Sequence, residues 1–161
     1  MYKTLFATAA VAGMTIMTMP AEAQVRAHGH ISHVQGAYGG GVTRSRFVAR
    51  QPGSASINRS VQTNGSYGYT SSRNRSYAPG SASGTHTVQA NNGRGYTTDR
   101  NASWGNGSYS GGKTTTTNNG TTFGRSTTAT ANGDGSADYS TTLTGPDGTS
   151  TTVSGTVSRT H

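Results

Sequence analysis

The chain has 161 residues, a formal net charge of +8, a hydrophobic content of 29% and no cysteine, which excludes a disulfide framework, a thiolate metal site and a cysteine nucleophile. Beyond residue 23 only 13 residues are Val, Ile, Leu or Phe, while Gly, Thr, Ser and Asn exceed half of the remainder. So few apolar side chains cannot offset a backbone ordering cost of about 1–2 kcal/mol per residue, which rules out an ordinary globular core and leaves disorder or a repetitive, backbone-held structure.

Residues 1–23 read as an export signal. Lys3 precedes an apolar stretch from Leu5 to Met19, Pro20 ends it, and Ala21 and Ala23 place small side chains at −3 and −1 of the Ala23–Gln24 bond, the pattern of a cleaved helical signal peptide. The stretch is interrupted by Thr15 and Thr18 and falls short of the roughly 20 residues a spanning helix needs, as does every later segment. The compact signal has a bacterial form, so the expected location is the periplasm, the cell surface or the medium.

Residues 24–52 carry Gly36, Gly39, Gly40 and Gly41 and the cations Arg44, Arg46 and Arg50, and are expected to form a flexible basic segment. His28, His30 and His33 set three imidazoles within six residues. Neutral imidazole suits Zn, Cu or Ni, but no acidic or thiol ligand lies nearby to complete a site. These histidines are metal candidates only in the adventitious sense, and no cofactor is expected.

Residues 53–161 repeat with a period of about 27. Gly53, Gly80, Gly107 and Gly135 each open a Gly-Ser phrase, and Asn64-Gly65, Asn92-Gly93, Asn119-Gly120 and Asp147-Gly148 recur in phase with them. Asn-Gly and Asp-Gly favour two-residue hairpin loops in which both residues take positive φ. Between these turns apolar side chains alternate, as in Ala55, Ile57 and Val61, or Ala137, Tyr139 and Leu143. A period of two with abundant Thr and Tyr predicts strands. The expected fold is all-β: four hairpin repeats in an antiparallel up-and-down meander of about eight strands, with a disordered Gly/Ser/Thr chain as the alternative.

Enzymatic chemistry lacks parts. Past residue 23 there is no Glu, no Gly-x-Ser-x-Gly elbow is present, and His86 and His161 have no evident carboxylate partner. No catalytic residues and no small-molecule substrate are expected. Asn132 to Asp138 spaces oxygen atoms as a calcium loop does, but Leu143 stands where a bidentate Glu belongs, so a hairpin turn is expected.

Charge is uneven. Residues 24–100 hold nine Arg against Asp99, whereas 101–161 balance Lys113, Arg125 and Arg159 against three Asp. Within the basic half Arg59, Arg73, Arg75, Arg94 and Arg100 interleave with Tyr67, Tyr69, Tyr77 and Tyr96, the mixture that grips polyanions by cation contact and aromatic stacking. Export favours an envelope polymer, polysaccharide or lipopolysaccharide, over nucleic acid. An outer-membrane barrel is disfavoured, because residues 108–131 carry Thr, Ser, Gly and Asn on both faces.

The signal, the Asn-Gly hairpins and the phrase Leu143-Thr144-Gly145-Pro146-Asp147-Gly148-Thr149 resemble small exported Gly/Thr/Asn-rich repeat proteins of Gram-negative bacteria. The group has no established site residues, so the resemblance implies export and repetition alone. The chain is similar in style to curli-type amyloid subunits, although their Gln and Asn ladders find only an echo in Gln62 and Gln89. Together these readings describe a non-enzymatic, self-assembling structural or matrix protein, its template the sparsely charged strands of 108–131. The alternative is a monomeric binder of anionic envelope polymers.

Overall fold

A computed structural model describes residues 25–36, 40–65 and 67–158. Ala21, Ala23, Gln24 and the expected signal peptide lie outside them. The described residues form ten strands: β1 (Arg26–Gln35), β2 (Gly41–Gln51), β3 (Ser54–Thr63), β4 (Gly68–Ala78), β5 (Ser81–Ala90), β6 (Gly95–Gly105), β7 (Ser108–Thr117), β8 (Thr122–Ala131), β9 (Ser136–Thr144) and β10 (Ser150–Ser158). They pair antiparallel in chain order as one open sheet, and each strand touches only its sequence neighbours. The up-and-down meander expected from the period of two is the observed fold.

Two expectations need correction. The segment expected to be flexible supplies β1 and β2, paired over their whole length from Arg26↔Arg50 to Gln35↔Gly41. Gly36 and Gly40 belong to the connection, where the Gly36 N–H donates to the Gly40 carbonyl, and Gly41 opens β2, while Gly39 lies outside the described residues. The sheet therefore holds five two-strand units rather than four. Residues 108–131, expected to be the template for further strands, are interior strands with both sides already paired: β7 pairs with β6 and β8, and β8 also pairs with β9.

The two turn markers occupy opposite ends of the sheet, and their loops differ. At one end Pro52-Gly53, Pro79-Gly80 and Asn106-Gly107 join strands directly; among the described residues Asn106 (φ 50°) and Gly107 (φ 72°) form the one two-residue loop with both residues left-handed, the primed turn that matches strand twist. At the other end Asn92-Gly93, Asn119-Gly120 and Asp147-Gly148 do not form the expected two-residue loops. They end three-residue loops in which only the glycine is left-handed. The Gly93 N–H donates to the Ala90 carbonyl at 3.1 Å and the Ala90 N–H to the Arg94 carbonyl at 2.8 Å. Residues 117–121 and 145–149 repeat this arrangement, a turn followed by a glycine bulge. Asn92, Asn119 and Asp147 each accept the N–H two residues on, which is why Asn or Asp precedes the glycine.

The core is minimal. Val48 is the one buried apolar side chain among the described residues, and Thr98 and Thr115 are buried with their hydroxyls paired at 2.9 Å. Cohesion comes from the backbone ladder and from cross-strand hydroxyl pairs such as Thr87–Thr97 (3.1 Å), Thr127–Thr141 (3.0 Å) and Thr142–Thr152 (2.8 Å), of the kind that stabilises neighbouring strands. Lateral amide links add to it. Asn91 Nδ2 donates to Gln62 Oε1 at 2.7 Å, and Asn118 Nδ2 to Gln89 Oε1 at 2.6 Å, so Gln62 and Gln89 are steps of a ladder across repeat units. Gly95 lies under one step: a Cβ there would meet Gln89 Oε1 at 3.0 Å and Asn118 Nδ2 at 3.1 Å.

Candidate polyanion-binding face

Opposed residues of an antiparallel pair project to one side, so the register sorts every strand residue onto one of two faces. Every Lys and Arg in a described strand falls on a single face: Arg26, Arg44, Arg46, Arg50, Arg59, Arg73, Arg75, Arg100, Lys113 and Arg125. No carboxylate shares it among the described residues. The opposite face carries Ser, Thr, Asn and Gln, with Asp99 and Asp138 each accepting from a neighbouring Thr hydroxyl. The cationic face also holds Tyr69, Tyr77, Tyr96, Trp104, Tyr109, Phe123 and Tyr139, most of the apolar residues among them.

Of the polyanion candidates, Arg59, Tyr69, Arg73, Arg75, Tyr77, Tyr96 and Arg100 are thus brought together on this face. Tyr67 and Arg94 are exposed in the loops that join β3 to β4 and β5 to β6, both at the same end of the sheet. Sequence reasoning missed Arg26, Arg44, Arg46, Arg50, Lys113 and Arg125 as members of the same surface. Their shared parity was a legible signal, but relating the parity of one strand to the next requires the loop geometry.

Like charges face each other directly in Arg26↔Arg50, Arg46↔Arg59, Arg100↔Lys113 and Lys113↔Arg125. Such pairs oppose sheet formation. The frustration is concentrated on one surface, as happens where a ligand rather than the fold selects the residues. Ile57, Arg59, Tyr69, Ser71, Arg73, His86 and Val88 line a shallow depression of about 250 Å³ on it. His86 is one of these lining residues, its Nε2 hydrogen-bonded to Ser71 Oγ at 3.1 Å and its ring edge-on to Tyr96, centroids 5.8 Å apart. Burial, then the charges of Arg73 and Arg100, hold its pKa below the ordinary histidine value. The site is a positive field with an imidazole in its midst.

The three N-terminal histidines do not converge. His28 and His30 stand on the cationic face opposite Val48 and Arg46, whereas His33 projects to the other face and bonds Thr43 Oγ1 at 2.8 Å. In a strand, odd and even positions cannot address one ion. No group of three or more potential metal-ligating side chains is found among the described residues. In the loop 132–135, Asp134 accepts from the Ser136 N–H (2.8 Å) and hydroxyl (2.6 Å), which makes it a turn cap, in agreement with the hairpin expectation.

No described helix is long and apolar enough to cross a membrane. No family model matches the chain, and neither a curated protein nor a solved structure does.

Proposed function

We propose that the protein is a non-enzymatic, exported, surface- or matrix-associated β-repeat protein that binds anionic polymers through its cationic face. The observation that carries this reading is the segregation of ten strand cations onto one face with no carboxylate among them. An Arg fork meets carboxylate, sulfate or phosphate bidentately, and an anion laid over Arg100 and Lys113 relieves the repulsion that the bare sheet must carry. The backbone ladder holds the strand positions of the cations at fixed spacing, so less backbone freedom is lost on binding than in a disordered basic segment.

The test is retention of the protein on immobilised acidic polysaccharide, lipopolysaccharide and nucleic acid across a salt series. Affinity should fall linearly with salt on logarithmic axes, and replacing Arg73, Arg75, Arg94 and Arg100 together by Gln, which leaves seven of the ten strand cations in place, should weaken binding and flatten the salt slope. An unchanged affinity and slope in that variant overturns the reading, as does a wild-type protein that binds none of the three.

A second reading, self-assembly, rests on one observation. The outer side of β10 pairs with no described strand, and β10 carries no charged side chain, proline or bulge to blunt it. Sedimentation over a concentration series tests it: large species growing with concentration support assembly, and a constant monomer mass refutes it.

A further inference from the structure

Reading the register from strand to strand shows an order within the cationic face. Arg26 opposes Arg50, Arg50 opposes Ala55, Ala55 opposes Arg75, Arg75 opposes Gly84, Gly84 opposes Arg100, and Arg100 continues through Lys113 to Arg125. These residues lie in one straight row along the hydrogen-bonding direction. It crosses eight strands, roughly 34 Å at about 4.8 Å per strand. Arg50, Arg75, Arg100 and Arg125 occupy alternate strands along it, about 9.6 Å apart.

Duplication does not account for this row. Repeat-equivalent positions are 27 residues apart, as in Arg46, Arg73 and Arg100, whereas the row members Arg50, Arg75, Arg100 and Arg125 are spaced by 25. The sheet is staggered, so a straight row must recruit a different position from each repeat unit. Copying a unit would send its arginines along a diagonal. A row assembled from non-equivalent positions is the pattern expected when a straight ligand selects them.

Resting on the polyanion reading, we infer that the ligand is a linear acidic polysaccharide lying across the strands along this row, with a carboxylate on alternate sugars. Two features favour sugar over nucleic acid. Between Arg50 and Arg75 the row presents Ala55 and between Arg75 and Arg100 it presents Gly84, small residues over which a ring can sit between two held carboxylates, while Lys113 between Arg100 and Arg125 adds a further cation at that end. The row itself contains no aromatic side chain. Tyr77 is one step to its side and Trp104 two, whereas single-stranded nucleic acid is gripped by aromatics interleaved with the cations that track its backbone.

The experiment measures binding of hyaluronan oligosaccharides of graded length, which carry one carboxylate per two sugars, and of single-stranded DNA of matched charge. Two variants of equal net charge are compared with wild type: Arg50, Arg75, Arg100 and Arg125 replaced by Gln along the row, and Arg44, Arg46, Arg59 and Arg73 replaced by Gln beside it. Circular dichroism checks that each retains the β spectrum, which is expected because the substitutions remove like-charge repulsion. The row variant should lose at least about tenfold more oligosaccharide affinity than the other, four ionic contacts being removed. Wild-type affinity should rise with oligosaccharide length and level off once the row is spanned. Equal losses in the two variants, no plateau, or preference for DNA would overturn the track while leaving polyanion binding intact. A wild type that binds neither probe and no other polyanion fails at the broader reading.

Discussion

His86 is the most informative single residue, because its charge state reports on the surface around it. Tyr96 and Thr98 of β6, Ser71 and Arg73 of β4, and Arg100 further along β6 surround it, and its folded pKa lies below the ordinary value of 6.5. A lowered histidine pKa means that the unfolded chain binds the proton more readily. Stability is therefore full above about pH 6.5 and declines as pH falls toward the folded pKa. The expected result is a urea midpoint that drops between pH 7.5 and 5.5 in wild type, with a smaller drop in His86→Asn; equal drops would remove His86 as the cause. Occupation of the cationic face by an anion should raise the imidazole titration midpoint in a proton NMR series, since the anion offsets Arg73 and Arg100.

At the scale of the element, strands with almost no apolar content persist because each backbone group finds a partner on both sides. β7 illustrates this: Gly111, Gly112 and four successive threonines make a poor amphipathic strand, yet it is held by β6 on one flank and β8 on the other. Thr116→Pro should cost about 3 kcal/mol or more in urea denaturation, because an interior strand loses a ladder bond whichever way the N–H points. In β10 only alternate N–H groups point toward β9. Of Thr151→Pro and Thr152→Pro, one should therefore be tolerated and the other not; equal damage from both would argue that the outer edge of β10 is itself paired. The tolerated variant, having lost an outward N–H, is also the one that should suppress any assembly through this edge.

At the scale of the whole molecule, an array in which each strand meets only its sequence neighbours has approximately additive stability, a sum over units and the junctions between them. The register repeats from unit to unit, with Tyr77↔Ala82 recurring as Trp104↔Tyr109. Excising residues 81–107 joins Gly80 to Ser108 and rebuilds the same junction between β4 and β7. That deletion should leave a β spectrum and a cooperative but less stable monomer. Removing residues 81–94 takes out one strand, reverses the direction in which the next must run, and should abolish folding. If the two deletions behave alike by circular dichroism and urea titration, the repeat is not the folding unit.

The turns, the strand parity and the 27-residue unit were legible in the sequence because each depends on residues close in the chain: a glycine that must be left-handed, an Asn or Asp that caps it, a side chain that alternates. The pairing of Arg26–Gln35 with Gly41–Gln51 was not, because a strand without apolar bias is defined by its neighbour's hydrogen bonds rather than by its own pattern. The steps formed by Gln62–Asn91 and Gln89–Asn118 join residues 29 apart and were likewise invisible. Composition alone excluded an ordinary globular core, and the order of the charges along the chain marked a basic half. Only the tertiary register decided that the cations share one face and fall in a straight row, because loop length and stagger, not local preference, set which residue of one strand stands opposite which residue of the next.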